Sequence, residues 1–162
     1  MQPLLIPASA TITLALAFYT IGVFWERRSG RLQPRHLAFF LLGLACDATG
    51  TSLMSVIARS SAAPVSPVHL VTGTLALLLL LAHALWAIVV LVRHDEGLQQ
   101  GFHRLSTGVW LFWLVPYACG LLMGIPAICL DGAHALVASA GIALAAGIAV
   151  YWRPALPRRA AR

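Results

Sequence analysis

Six histidines, one aspartate and two tyrosines stand where an apolar chain could do chemistry. The histidines are His36, His69, His83, His94, His103 and His134, and Asp47 is the one acid inside an apolar stretch. Tyr19 and Tyr117 are expected near the same level as Asp47 and His83. Imidazole ligates metals and exchanges protons near neutral pH. Carboxyl and phenol groups extend such an exchange. Ionisable groups in an apolar medium are costly and mark function by default.

The spacing of these residues narrows the chemistry. His69 and His83 are fourteen residues apart on one apolar stretch. On a helix they fall within about 40° of one face and about 21 Å apart in height. Two histidines at that separation are similar to the ligand pair on a helix of a di-haem b-type cytochrome, where each imidazole takes one axial position on a haem iron. His36, Gly43 and Gly50 recur every seven residues on another stretch, so they share a face. The two glycines leave a groove there, for a flat macrocycle or for a closely packed helix. Gly73, four residues after His69, would clear space beside that ring.

Depth suggests partners. His36 opens the second stretch and His103 precedes the fourth, so both lie at one surface. In an up-and-down bundle those two helices are diagonal and leave a gap between them. His36 with His103 is the expected pair at that surface, and His69 with His134 at the opposite one. His94, beside Asp95 and Glu96, reads as an exposed loop residue. Asp47 and His83 each lie eleven residues from a histidine at that first surface. They are therefore expected at one mid-depth, with three roles open: a polar clasp between helices, a proton relay with Tyr19 and Tyr117, or a haem pocket with His83 on the iron.

The elements that must position these groups are membrane spans. Of the 162 residues, 60% are apolar and 10% charged, and mean hydropathy is +0.86. A soluble domain is nearer 45–50% apolar and 25% charged. This composition excludes a disordered tail, a nucleic-acid-binding domain and an ordinary cytosolic enzyme. Five apolar stretches, about 5–25, 37–58, 68–92, 105–125 and 133–152, are each long enough to cross a bilayer core of about 30 Å. The chain is expected to be a single all-α domain over 1–152, an integral membrane bundle of five transmembrane helices, followed by a basic tail over 153–162. The first stretch lacks a basic leader and is read as a span, not a cleaved signal.

Charge sets the expected orientation. All eleven basic residues are arginine, and the net charge is +6. Ten of them fall in the loop after span one, the loop after span three and the tail, and only Arg59 lies opposite. The positive-inside rule puts the ten in the cytoplasm, with the amino terminus outside. Trp25, Trp110 and Trp152 are expected as interface anchors at the inner boundary. Ser139, Ala143 and Gly147, and Gly120 with Gly124, are small residues at four-residue spacing. They suit close helix packing within the monomer, a homodimer seam or a contact with a larger membrane complex. Cys46, Cys119 and Cys129 show no disulfide or zinc spacing.

Four segments resemble the HsmA family of small bacterial haem-sensing membrane proteins: ITLALAFYTIGVFWERRSGRL, HLAFFLLGLACDATGTSLM, HLVTGTLALLLLLAHALWA and FHRLSTGVWLFWLVPYACGLLMG. The resemblance covers about residues 11–124 and is carried most by DATGT, AHALWA and FHRLSTGVWLFWLVP. It implies a multi-pass protein of the bacterial cytoplasmic membrane that associates with haem and serves in haem or oxidative-stress tolerance. The family's histidines would map onto His36, His69, His83 and His103, with Asp47 in the acidic position. The fifth span and the basic tail extend beyond the resemblance.

The leading expectation is therefore one or two haem b groups between helices two, three and four. Such a protein would sequester haem or pass electrons. If it is an enzyme, it would be a b-type cytochrome acting on quinone or superoxide. The alternatives are a proton-coupled carrier or channel centred on Asp47 and His83, and an accessory subunit of a larger complex.

Overall fold

The computed structural model describes residues 4–60, 66–125 and 127–152. The expected basic tail, 153–162, lies outside them. The described residues form five helices: α1 (Leu5–Ser29), α2 (Pro34–Ser60), α3 (Pro67–Arg93), α4 (Glu96–Gly124) and α5 (Gly132–Tyr151). All five are long and apolar enough to cross a membrane.

Local chemistry sets the ends of these helices. Gly30 closes α1 in the left-handed conformation, φ 65°, and its N–H bonds the Glu26 carbonyl. Pro67 starts α3, where its missing N–H costs nothing. The Asp95 carboxylate caps α4 by accepting from the N–H groups of Gly97 and Leu98. Asp131 caps α5 in the same way, accepting from Ala133 and His134. The Asp95 cap also explains why α4 begins nine residues before the apolar stretch expected at Leu105. Its polar first turns still bury Gln99 and Phe102, so packing holds them helical.

Helix α1 packs along α2, α4 lies between α3 and α5, and α3 also meets α2. Helices α2 and α4 make no backbone-level contact, so they are diagonal, as an up-and-down order requires. The outer surface is apolar: Leu70, Leu78, Val137 and Leu144 are all more than half exposed. The interior holds polar groups, with Glu26, His36, Asp47, His83 and Ser106 buried. A polar inside under an apolar outside is the distribution a lipid solvent favours.

One open alternative about packing is decided and one expectation changes. The Gly43–Gly50 face of α2 is a helix seam and no macrocycle groove. A Cβ on Gly43 would meet the Tyr19 ring at 3.0 Å, and one on Gly50 would approach Thr11 Oγ1 at 2.8 Å, both on α1. Trp110 is a core residue and no interface anchor: it is 8% exposed, its indole N–H donates to Thr20 Oγ1 at 2.9 Å, and Phe24 packs against it edge-on. Its place in the sequence near the expected boundary reflects the late start assigned to the fourth span. Trp152, by contrast, is 79% exposed.

Candidate functional site

The third helix carries a buried stripe through His69, Ala76, His83 and Val90, each seven residues from the next. Ala76, His83 and Val90 are buried and His69 is half-buried, so both imidazoles turn toward other helices and away from lipid.

His83 is 2% exposed. Its Nδ1 shares a hydrogen bond with the Tyr19 hydroxyl of α1. Phe102 of α4 stacks on the imidazole, with centroids 5.0 Å apart and planes at 27°. Phe40 of α2 meets it edge-on at 4.8 Å. Phe40 also contacts Tyr19 and Phe102. Three other helices thus converge on one imidazole, and these rings occupy the gap between α2 and α4. His83 Nε2 is buried and has no hydrogen-bond partner among the described residues. Ser106 Oγ, one turn along α4 from Phe102, is also buried and unpartnered.

His69 lies in the seam between α3 and α4. A Cβ on Gly120 would stand 2.9 Å from its Cε1, so glycine is what lets the imidazole sit on the α4 backbone. Its Nδ1 is buried without a hydrogen-bond partner among the described residues. Gly73, expected to clear space beside this ring, and Gly124, expected with Gly120 to let helices approach, have open space where a side chain would go.

His36 is fully buried against the Trp25 ring, 5.5 Å between centroids. The Gln33 N–H donates to its Nδ1 at 3.1 Å. A neutral imidazole that accepts at Nδ1 carries its proton on Nε2. His36 Nε2 is therefore a donor, and it has no acceptor among the described residues. His103 is half-buried, and no hydrogen bond or ring contact joins its side chain to His36. His134 is exposed, and its Nδ1 bonds Asp131 Oδ2 at 2.5 Å. That pairing holds the Asp131 carboxyl below its ordinary range, chiefly through the hydrogen bond from His134. His69 instead packs on Gly120, and no hydrogen bond among the described residues joins it to His134. Neither expected bis-histidine pair is assembled in this structure. Helix spacing sets depth but leaves rotation about the axis free, and rotation turns His134 to solvent. His94 is exposed and ends α3 at φ 52°, as a loop residue.

The expected Asp47–His83 bond is likewise not formed. His83 faces Phe40, seven residues and so about 10 Å along α2 from Asp47. Asp47 instead has Trp113 as its side-chain hydrogen-bond partner, and the indole N–H can only donate. Tyr117 stacks on Trp113, 5.4 Å between centroids, and its hydroxyl lies 3.4 Å from Thr13 Oγ1. The set expected at one depth thus divides into two clusters, Tyr19 with His83 and Asp47 with Trp113 and Tyr117. Equal counts from the helix ends do not give equal depth when the helices are offset along their axes.

One residue escaped the sequence reading. Glu26 is fully buried in α1, and neither carboxylate oxygen has a hydrogen-bond partner among the described residues. It follows Tyr19 by seven residues, so the inward face of α1 already included it. A span drawn to end at Trp25 left it in the loop.

The haem expectation can be tested against these side chains. An imidazole binds iron through an in-plane lone pair, and its other ring N–H is normally held by a second group. His83 meets both requirements at its ring nitrogens, since Tyr19 holds Nδ1 and Nε2 is unpartnered among the described residues, but Phe40 and Phe102 fill the gap between α2 and α4 where the macrocycle was expected, so those rings would have to move to admit it. His69 meets the first only, with one buried unpartnered ring nitrogen. His36 does not fit, because its Nε2 carries the proton. The exposed His134 does not fit either. Comparison with known proteins adds no relative: no family model matches the chain, and no curated protein or solved structure matches it.

Proposed function

We propose that this chain is a haem-b-binding protein of the bacterial cytoplasmic membrane, with His83 as the principal residue that would hold the haem iron. The observation that carries this reading is the buried, unpartnered Nε2 of His83 beside an Nδ1 held by Tyr19. In the ligating tautomer His83 Nδ1–H donates to the Tyr19 oxygen, which fixes the ring and makes Nε2 more basic. Phe40 and Phe102 exclude water from the imidazole. His69, on the same stripe and about 21 Å away, would serve a second group nearer the other surface. Bound haem would supply an iron able to change oxidation state, tuned by its axial ligand and burial. The resemblance to the HsmA family supports haem association and a role in haem or oxidative-stress tolerance; the chain would sequester haem or pass electrons, in the latter case with quinone or superoxide as redox partners. The arginines at the α1–α2 and α3–α4 ends, against Arg59 alone at the other, support an amino terminus outside. An absorption spectrum of the protein purified from haem-replete cells tests the reading. A Soret band that His83→Ala removes is expected. A colourless protein that takes up no added haem rejects it.

A second reading is proton transfer through the cytoplasmic half of the bundle. Glu26 favours it, because a fully buried carboxyl without a partner is costly unless it is used. Proteoliposomes carrying an internal pH dye would show Glu26-dependent acidification under an imposed gradient. Equal leak in wild type and Glu26→Gln rejects this reading.

A further inference from the structure

Helices α1 and α5 make no backbone-level contact, and the space between them is a groove of about 870 Å³. Its walls include Ile21, Phe24, Ala149 and Val150, and Arg27 and Arg28 line its end. The groove runs from Thr20 to Arg28, eight residues of α1 or about 12 Å. It is apolar along its length and cationic at one mouth.

The two guanidinium groups are arranged differently. Arg27 closes the mouth: its Nη2 donates to the Val150 carbonyl at 3.3 Å, and its guanidinium lies over the Tyr151 ring, 4.9 Å from the centroid. Arg28 is exposed and has no ion pair or hydrogen bond among the described residues. No acid lines the groove. Glu26, the one carboxylate on this stretch, is fully buried and turned to the interior. A third guanidinium, Arg35, lies over the Trp25 ring at 4.6 Å, and Trp25 also lines the groove. The Arg28 charge is therefore unpaired among the described residues and sits at the end of an apolar groove.

We propose that the α1–α5 groove is a binding site for a phospholipid with a net negative headgroup. The acyl chain lies along Ile21, Phe24, Ala149 and Val150, and the headgroup phosphate meets Arg28 and Arg27. Guanidinium forks match phosphate geometry, and basic pockets between helices at a membrane surface select acidic headgroups. The length of the apolar wall selects a lipid over free phosphate. The charge selects an anionic lipid over a zwitterionic one, whose choline group the arginines repel.

Native mass spectrometry of the full chain in detergent, with phosphatidylglycerol and phosphatidylcholine added in equal amounts, tests the site. Wild type retains phosphatidylglycerol preferentially, by about fivefold for each charge engaged. The double change Arg27→Gln with Arg28→Gln brings the two lipids to parity. Arg28→Gln alone, which removes no contact within the protein, lowers the preference. Arg93→Gln, at the α3 end outside the groove, leaves it unchanged. Parity in wild type overturns the proposal, as does an undiminished preference in Arg28→Gln. An equal loss in Arg93→Gln overturns it too, since that would show attraction to a basic surface at large.

Discussion

The Tyr19 hydroxyl of α1 and His83 Nδ1 of α3 hydrogen-bond each other in the centre of the bundle, ringed by Phe40 and Phe102. Each is the other's only polar side-chain partner among the described residues. Tyr19→Phe should therefore leave His83 Nδ1 unpaired at nearly unchanged packing, at a cost of about 1–3 kcal/mol. Thermal unfolding in detergent measures that cost. If His83 ligates haem, the same variant should also broaden or shift the Soret band, because the ring loses the group that orients it. An unchanged melting temperature would show that the bond carries no net stability.

Gly120 and Gly124 are predicted to behave oppositely. Gly120→Ala would place a methyl group 2.9 Å from the His69 ring, so the ring or the helix must shift. Overpacking of this kind costs about 1–3 kcal/mol. Gly124→Ala meets nothing within 4 Å and should be neutral or gain up to about 1 kcal/mol from helix propensity. Paired melting curves of the two variants check the contrast.

Trp110 and Trp152 should also separate. Trp110→Phe removes the donor to Thr20 and opens a gap against Phe24, costing about 1 kcal/mol for the hydrogen bond plus a packing loss. Trp152→Phe, at a site 79% exposed, should leave the melting temperature in place.

The Asp131–His134 contact carries a pH dependence with a definite sign. His134 holds the Asp131 carboxyl below its ordinary range, so the folded protein releases that proton more readily than the unfolded chain. The resulting stabilisation of the α5 cap is present above the unfolded carboxylate pKa and is lost as pH falls through the lower folded value. Carbon-detected NMR titration of Asp131 should show the depressed midpoint, and His134→Ala should bring it back up.

Orientation is open to a chemical test through the cysteines. Cys129 is exposed in the α4–α5 connection, whereas Cys119 is buried in α4. With the amino terminus outside, this connection faces outward. A membrane-impermeant maleimide should then label Cys129 in spheroplasts and spare Cys119. Labelling of Cys129 only after lysis would reverse the topology.

The five helices were legible in the sequence because apolar length is a one-dimensional property. A run of about 20 apolar residues must satisfy its backbone internally if it crosses lipid, and a helix does so. The inward stripe on α3 was legible for a related reason: a seven-residue recurrence keeps His69, Ala76, His83 and Val90 on one face whatever the neighbours are. The polar start of α4 was hidden, since its helicity comes from the Asp95 cap and from burying Gln99 and Phe102.

What the sequence by itself determined, then, is that five apolar helices carry buried imidazoles on a shared face. What only the tertiary structure decided is which group each one meets. Sequence spacing specifies height along one axis and angle about it. It leaves open how far one helix slides along its neighbour and how it is turned. That slide put Phe40 and not Asp47 against His83 and gave Asp47 to Trp113. Those offsets are set by side-chain packing between helices, the Tyr19 ring against Gly43 and His69 against Gly120 among them, and by no residue alone.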